Sequence, residues 1–356
     1  LPELPAHLPG APGEDLARLT SLLARYGHLV VAFSGGADSA LLAYVATATL
    51  GAERVQCATA HSPSLAPEDL ADTVALAQEW SLTHRIVATD ELDNPAYRAN
   101  DLDRCRYCKT ALMEVLAPLA RLGGGVVALG VNRDDLGEHR PGQAAARDAG
   151  AVFPLLDAGL GKDDVRALSR ALGLRTWDKP ANACLSSRIP QGTAVSIQLL
   201  DTVGRAESVL RSLGYAQVRV RHHGEIARLE LDPDELARAV DEREEIVDAL
   251  RALGYRYVTL DLQGFRSGNL VAAAIERPSL GVRQVVTTSG ARPVVRRRRS
   301  ANRPPRSIAP RRRDTLRGRR TVRVRSRRAG TVRGARPGRR SASRSGDTCR
   351  GRSRAR

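Results

Sequence analysis

Six consecutive residues, Ser34-Gly35-Gly36-Ala37-Asp38-Ser39, place hydroxyl donors, two glycines and a carboxylate between an apolar run and an apolar-periodic segment. Glycine has no Cβ, so Gly35 and Gly36 let the backbone come close to a ligand with its N–H groups pointing inward. Ser34 and Ser39 add hydroxyls, and a helix starting near Asp38 adds unpaired N–H groups and the positive end of its dipole. Such a cradle suits a phosphate. Asp38 would repel that phosphate unless a cation lay between them, which points to Mg²⁺ beside the anion. The Gly-x-x-x-x-Gly-Lys-Ser/Thr pattern of a Walker A loop is absent, and no lysine lies near the cradle in sequence.

Cys184 is the second reactive candidate. "RTWDKPANACLSSRIPQGTAV" has no clear period and contains Pro180, Pro190 and Gly192, so it reads as an ordered loop. A free thiol, with a pKa of about 8.5, is only a few per cent thiolate at neutral pH, and adjacent cations raise that fraction. Arg188 and Lys179 are placed to do so, with Ser186 and Ser187 beside them. An inert buried thiol describes Cys57, in an apolar strand, better than Cys184. Cys105 and Cys108 form C-x-x-C, but a tetrahedral structural metal site needs two more ligands and no second pair exists. A redox pair, or a packing or substrate-lining role at a helix start, remain as readings.

Arg219 and Arg221 alternate along a strand and share a face, where two guanidiniums can clamp a phosphate. Gln217 and His223 continue that face without fixed charge, so the two arginines read as an isolated pair, and a solvated or acid-paired face is the alternative. Arg266, between Gly264 and Gly268, offers another anion contact. Glu207 and Glu230 read by themselves as surface carboxylates.

These residues require a frame. After the cradle, "LLAYVATATL" continues a helix, "RVQCATA" a strand, "PEDLADTVALAQEW" a helix, "THRIVAT" a strand, "CKTALMEVLAPLARL" a helix up to Pro118, and "GVVALG" a fourth strand. Alternating strands and helices imply a parallel sheet covered on both faces, with ligands at the carboxyl ends of its strands. "DDVRALSRALGL" adds a helix. From Ser196 the pattern becomes helix, two strands, one helix over "PDELARAVDEREEIVDALRALG", and a strand, a second and smaller α/β unit. The expected division is 1–192, 193–276 and 277–356.

The 356 residues carry a net charge of +17, unevenly distributed. From Arg277 onward there are 28 Arg, no Lys and two acids, a charge of +26, which leaves −9 on the first 276 residues. So much like charge with little apolar periodicity predicts disorder. Out-of-frame reading of GC-rich coding DNA yields such a composition, and a nucleic-acid arm is the functional alternative. Without that arm, nucleic acid is not an expected partner. The chain opens at Leu1 rather than Met, which leaves its native start open. No apolar run suits a membrane span or a signal peptide, and an odd set of five cysteines fits reduced thiols and a cytoplasmic setting.

The Ser-Gly-Gly-x-Asp-Ser turn resembles the PP-loop of the ATP pyrophosphatases, Rossmann-like adenine nucleotide alpha-hydrolases. Together with "HSPSL", "RCRYCK", "VNRDDLGEHRPG", "WDKPANACLSSRIPQGTAV", "VRVRHHGEIARLE" and "LDLQGFRSGN", in order from about Leu16 to about Asn269, it resembles the LarE-type ATP-dependent sacrificial sulfur transferases. The resemblance implies that ATP adenylates a carboxylate of pyridinium-3,5-biscarboxylic acid mononucleotide. A cysteine matching Cys184 then displaces AMP, and elimination leaves dehydroalanine in the protein and a thiocarboxylate on the substrate, on the route to the nickel-pincer cofactor of lactate racemase. It further implies ATP and Mg²⁺ at Ser34, Gly35, Gly36, Asp38 and Ser39, catalytic roles for Cys184, Asp38 and Arg188, and substrate contacts from Ser187, Arg219, Arg221 and Arg266. Metal binding by Glu207 and Glu230 and a homo-hexamer are also implied. Some relatives carry extra cysteines beside this position for an iron–sulfur cluster, whereas "NACLSSR" has one. A tRNA thiolase using Cys105 and Cys108, or a nucleotide-binding regulator without turnover, are the competing readings.

Overall fold

The structure is a computed structural model and describes residues 2–137, 140–180 and 183–266. The Arg-rich segment from 277 lies outside the described residues. In chain order the elements are α1 (Gly10–Leu23), β1 (Leu29–Ala32), α2 (Ala37–Leu50), β2 (Val55–His61), α3 (Pro67–Glu79), β3 (His84–Ala88), α4 (Pro95–Arg98), α5 (Arg104–Leu122) and β4 (Val126–Leu129). They continue with α6 (Pro141–Asp148), α7 (Pro154–Asp157), α8 (Lys162–Ala171), α9 (Ile197–Ser212), β5 (Val218–His223), β6 (Ile226–Leu231), α10 (Leu236–Asp241), α11 (Arg243–Ala252) and β7 (Tyr257–Leu260).

Strands β1 to β4 form a parallel sheet in the order β3-β2-β1-β4. Side chains alternate across a strand, so Leu29 and Val31 of β1 face one core with α1, α2 and α8, while Val30 faces the other with Leu112 and Leu116 of α5. Helices therefore cover both faces, as the α/β alternation predicts. Strands β5 and β6 form an antiparallel hairpin, and β7 joins β6 in parallel to give a second sheet in the order β5-β6-β7. Val218, Val220, Leu229 and Leu231 turn one face of it into a core closed by Leu210, Ile246 and Leu250.

Two boundaries differ from the sequence pattern. Helix α5 runs through Pro118 to Leu122, because the one N–H lost at proline is outweighed by burial of Leu116 and Ala120 on either side of it. The predicted single helix after β6 is split at Glu242, whose carboxylate accepts from Arg238 Nε at 2.9 Å and from the Tyr215 hydroxyl at 2.8 Å.

Candidate functional site

The chain leaves β1 outward through β2 and β3, then crosses back to β4 on the other side of β1. Beyond the carboxyl ends of β1 and β4 this reversal opens a crevice, the place where open α/β sheets bind ligands. Ser34 to Ser39 follow β1 and Asn132 follows β4, and Asn132 Nδ2 donates to Asp38 Oδ1 at 2.9 Å across the crevice. Gly35 has φ +68°, and a Cβ there would lie 2.4 Å from Thr73 Oγ1, so this turn requires glycine on both counts. The Ser34 N–H donates to Ser39 Oγ at 3.2 Å, and the two serine Oγ atoms are 3.0 Å apart. Gly36 occupies the N-cap of α2, which places Asp38 in its first turn.

Burial holds the Asp38 carboxyl above its ordinary range; the hydrogen bond from Asn132 works against this, nearby Asp135 adds to it, and Lys162 opposes it. Asp135 also pairs with Arg140 at 3.1 Å and with Lys162 at 3.7 Å. Lys179, distant in sequence, donates through Nζ to the Gly35 carbonyl at 2.9 Å and pairs with Asp72. Burial would raise the Asp72 carboxyl, but hydrogen bonds from Lys179 and Arg175 outweigh it and hold it low. Lys179 thus braces the cradle.

Cys184 is exposed and immediately precedes a 3₁₀ turn, Leu185–Arg188. Leu185 seats the turn in a cluster with Ala66, Leu92, Tyr97, Ile189, Val195, Leu200 and Val203, a burial worth about 2 kcal/mol. Gly204 of α9 permits the approach, since a Cβ there would meet Leu185 Cδ1 at 3.2 Å. The Leu185 N–H donates to Ser64 O at 2.8 Å, which ties the turn to the loop after β2. Ser186 is buried and bonds the Tyr97 hydroxyl at 2.7 Å. Its carbonyl accepts from Arg104 Nη1 at 2.7 Å, and the Ser187 carbonyl accepts from Arg221 Nη1 at 2.8 Å. Asn100, buried with φ +56°, donates to the Ile189, Pro190 and Thr193 carbonyls and accepts from Arg104.

Arg188 is 1% exposed and is held by Glu207, at 0%, through Nε to Oε1 at 2.8 Å and Nη2 to Oε2 at 3.2 Å. Burial works against the guanidinium charge, but the Glu207 carboxylate more than restores it, so Arg188 stays protonated. Glu207 and Glu230 are therefore not surface carboxylates. Glu207 also accepts from Arg211 and from the Val220 N–H, and Glu230 pairs with Arg221 at 2.8 Å and Arg228 at 3.0 Å. Nor are Arg219 and Arg221 isolated. The antiparallel register sets Arg219 opposite Glu230 and Arg221 opposite Arg228, a charged face that single-strand periodicity cannot show.

The two arginines do different things. Arg221 is sunk against Glu230 and the Cys184 turn, whereas Arg219 lines a cavity of about 160 Å³ with Asp69, Lys179, Arg188, Arg211 and Gln217. Burial, with repulsion from Arg188 and Arg221, lowers the Arg219 guanidinium to about 10, a charge that a bound anion would relieve. Its guanidinium lies 4.3 Å from the centre of the Phe265 ring. Arg266 follows that ring and is exposed, bonded to Gln263. A larger concavity of about 400 Å³ lies at the amino ends of the strands, lined by residues such as His28, Val55 and Gly125, away from these groups. Among the described residues, no group of three or more His, Cys, Asp or Glu is arranged to hold a metal ion, and no helix is long and apolar enough to cross a membrane.

Pattern reading missed Asn132, Asp135, Lys162, Tyr97, Asn100 and Arg104. A polar run directly after the fourth apolar strand was a usable signal for the first two, since strand ends face the ligand. The sequence carried none for Tyr97, and Arg104 stood only within the motif RCRYCK, whose spacing does not show that its target is the Cys184 turn.

Comparison with known proteins bears on this arrangement. The profile of the NAD synthase family matches residues 19–102, the segment from within α1 through α4 that holds the cradle. An uncharacterized protein of Synechocystis sp. is 46% identical over 260 residues, 71% of this chain and 97% of its own length. Another, of Methanocaldococcus jannaschii, is 28% identical over 243 residues, 67% of this chain and 91% of its own. The pyridinium-3,5-bisthiocarboxylic acid mononucleotide synthase of Lactiplantibacillus plantarum is 37% identical over 255 residues, 71% of this chain and 92% of its own. With a PP-loop at the switch point of its parallel sheet and a relative of that identity and coverage, the chain belongs to the LarE-type family of PP-loop ATP pyrophosphatases.

Proposed function

We propose that this protein uses ATP to adenylate a carboxylate of pyridinium-3,5-biscarboxylic acid mononucleotide and then gives up the sulfur of Cys184 to it, in nickel-pincer nucleotide synthesis. One observation carries the reading. An exposed thiol stands on a turn pinned by three arginines and joined to the loop after β2, at the same carboxyl end of the sheet as the phosphate cradle.

Ser34, Gly35, Gly36 and Ser39 take the ATP phosphates, with Lys179 keeping the Gly35 peptide in place. Asp38 fits Mg²⁺. Its buried carboxyl is crowded by Asp135 and held high, a strain that a cation would release, and phosphate oxygens would complete the coordination. Bound there, the ion would neutralise charge on the departing pyrophosphate. Arg219 and Arg266 take the substrate's own phosphate, with Ser187 near the reacting carboxylate. Arg221, Glu207 and Glu230 hold the turn and its guanidiniums in place. Adenylation supplies AMP as leaving group, Cys184 attacks, and the resulting thioester eliminates to dehydroalanine. The C-x-x-C alternative is weaker, because burial pushes the Cys108 thiol up to about 12.

Peptide mass spectrometry after incubation with ATP and substrate tests this. Loss of the elements of H₂S at Cys184, dependent on both, is the expected result. An intact Cys184 in a preparation that makes thiocarboxylate would reject it, as would product well beyond one sulfur per chain without added sulfide. Sedimentation at micromolar concentration tests the hexameric state.

A further inference from the structure

The elimination step makes a demand on the protein that lies outside the substrate. Once Cys184 Sγ is acylated, a base must take the Cα hydrogen of Cys184 as a proton. The Cα–H pair becomes the Cα=Cβ bond, the Cβ–Sγ bond breaks, and its pair leaves on sulfur as the thiocarboxylate. Atoms and charge balance without an oxidant. A peptide Cα–H is a feeble acid, and the negative charge that develops on removing it resides largely on the adjoining carbonyl oxygen, as an enolate. The difficult charge of this step therefore appears on the main-chain oxygen of Cys184.

That oxygen has two donors. The Ser187 N–H donates to it at 2.9 Å within the 3₁₀ turn, and Arg188 Nη1 lies 3.3 Å away. Glu207 engages Nε and Nη2 of Arg188, so only Nη1 faces the turn, where it also meets the Ala183 carbonyl and Ser187 Oγ. Arg188 is 1% exposed, held against Glu207 of α9 and the turn itself, on the wall of the cavity that Arg219 also lines. A charged donor at 3.3 Å is weak toward a neutral carbonyl, and a shift of a few tenths of an ångström as the oxygen gains charge brings it to the distance of about 2.7–3.1 Å at which oxyanion donors act.

We infer that Arg188 Nη1 and the Ser187 N–H form an oxyanion hole for the protein's own Cys184 carbonyl, and that they drive the β-elimination rather than only fixing the loop. The inference rests on the sulfur-donor reading above. Glu207 is a positioning residue in this scheme: it holds the guanidinium in the one orientation that aims Nη1 at the turn. Arg221 has the same standing, since it fixes the Ser187 carbonyl.

Two variants test it by intact-protein mass spectrometry on quenched reactions with ATP and substrate. Arg188→Met/Glu207→Gln removes the guanidinium without stranding its counter-ion, and an amide-to-ester exchange at residue 187 deletes one N–H while keeping every side chain. In both, the substrate thioester on Cys184 is expected to accumulate, with conversion to dehydroalanine slowed about a hundredfold or more, the usual effect of losing one oxyanion donor. Dehydroalanine formation at the wild-type rate in either variant would overturn the inference. So would parallel loss of thioester and dehydroalanine in the folded ester variant, which would place the two donors before elimination. A wild-type protein that makes thiocarboxylate with no adduct and no dehydroalanine would instead sink the sulfur-donor reading itself.

Discussion

Gly130, the residue after β4, is the tightest test of how the cradle is built. A Cβ at this position would lie 2.8 Å from the Ser39 nitrogen, 2.9 Å from the Asp38 carbonyl carbon and 3.0 Å from Ser39 Cα. All three are backbone atoms, so no rotamer change relieves the contact. Restoring an ordinary separation in Gly130→Ala requires the start of α2 to retreat by about 0.6 Å. The Ser34 N–H to Ser39 Oγ bond, already 3.2 Å, would then pass out of hydrogen-bonding range. Overpacking of this kind costs about 1–3 kcal/mol, which for a folded region of this size lowers Tm by roughly 2–5 °C. Since a 1 Å misplacement costs about a hundredfold in rate, a shift of half that size should slow substrate-dependent pyrophosphate release about tenfold. Thermal denaturation and a coupled pyrophosphate assay read the two effects. Gly27→Ala, where nothing lies within 4 Å of the added Cβ, is the control and should match wild type in both. A Gly130→Ala protein with wild-type Tm and wild-type pyrophosphate release would refute the idea that β4 sets the height of the cradle.

Three other outcomes follow from the same geometry. Asp38 binds its proton more tightly folded than unfolded, so its contribution is fully present below the unfolded carboxyl pKa of about 3.9 and is lost as pH rises through the raised folded value. Asp38→Asn, which keeps an acceptor for Asn132, should therefore raise Tm at pH 7, show no gain near pH 3, and lose pyrophosphate release; a lower Tm at pH 7 would contradict the burial argument. Lys179→Met removes a charged hydrogen bond from the Gly35 carbonyl and should raise the KM for ATP about tenfold or more, as measured by initial rates across ATP concentrations. Asn100→Ala removes the donor to three carbonyls and one of two acceptors of Arg104 Nη1, and leaves a positive φ on alanine, so urea denaturation should show a loss of about 2–4 kcal/mol, with Asn100→Gly recovering only the backbone share.

Whatever depended on neighbours along the chain could be read directly. The cradle is six contiguous residues, the parallel sheet follows from alternating strand and helix periods, and Cys184 stands out as a thiol in a polar, proline-punctuated loop. Arg188 is four residues from Cys184 and was legible as its companion, though its contact with the Cys184 carbonyl was not. Burial was the commonest error. Glu207 and Glu230 belong to polar-looking surroundings in sequence, yet each is enclosed because an arginine from another element, Arg188 or Arg221, joins one from its own in neutralising it.

Local sequence thus determined which groups are available: a glycine-serine turn of PP-loop type, a carboxylate within it, and a thiol in a polar loop. Folding decided how those groups are aimed. Lys179 reaches Gly35, Asn132 reaches Asp38 and Arg104 reaches Ser186 across 82 to 144 residues of chain. Strand order and register make those meetings, and both are set by which hydrophobic faces pack together, a long-range outcome that no single segment encodes.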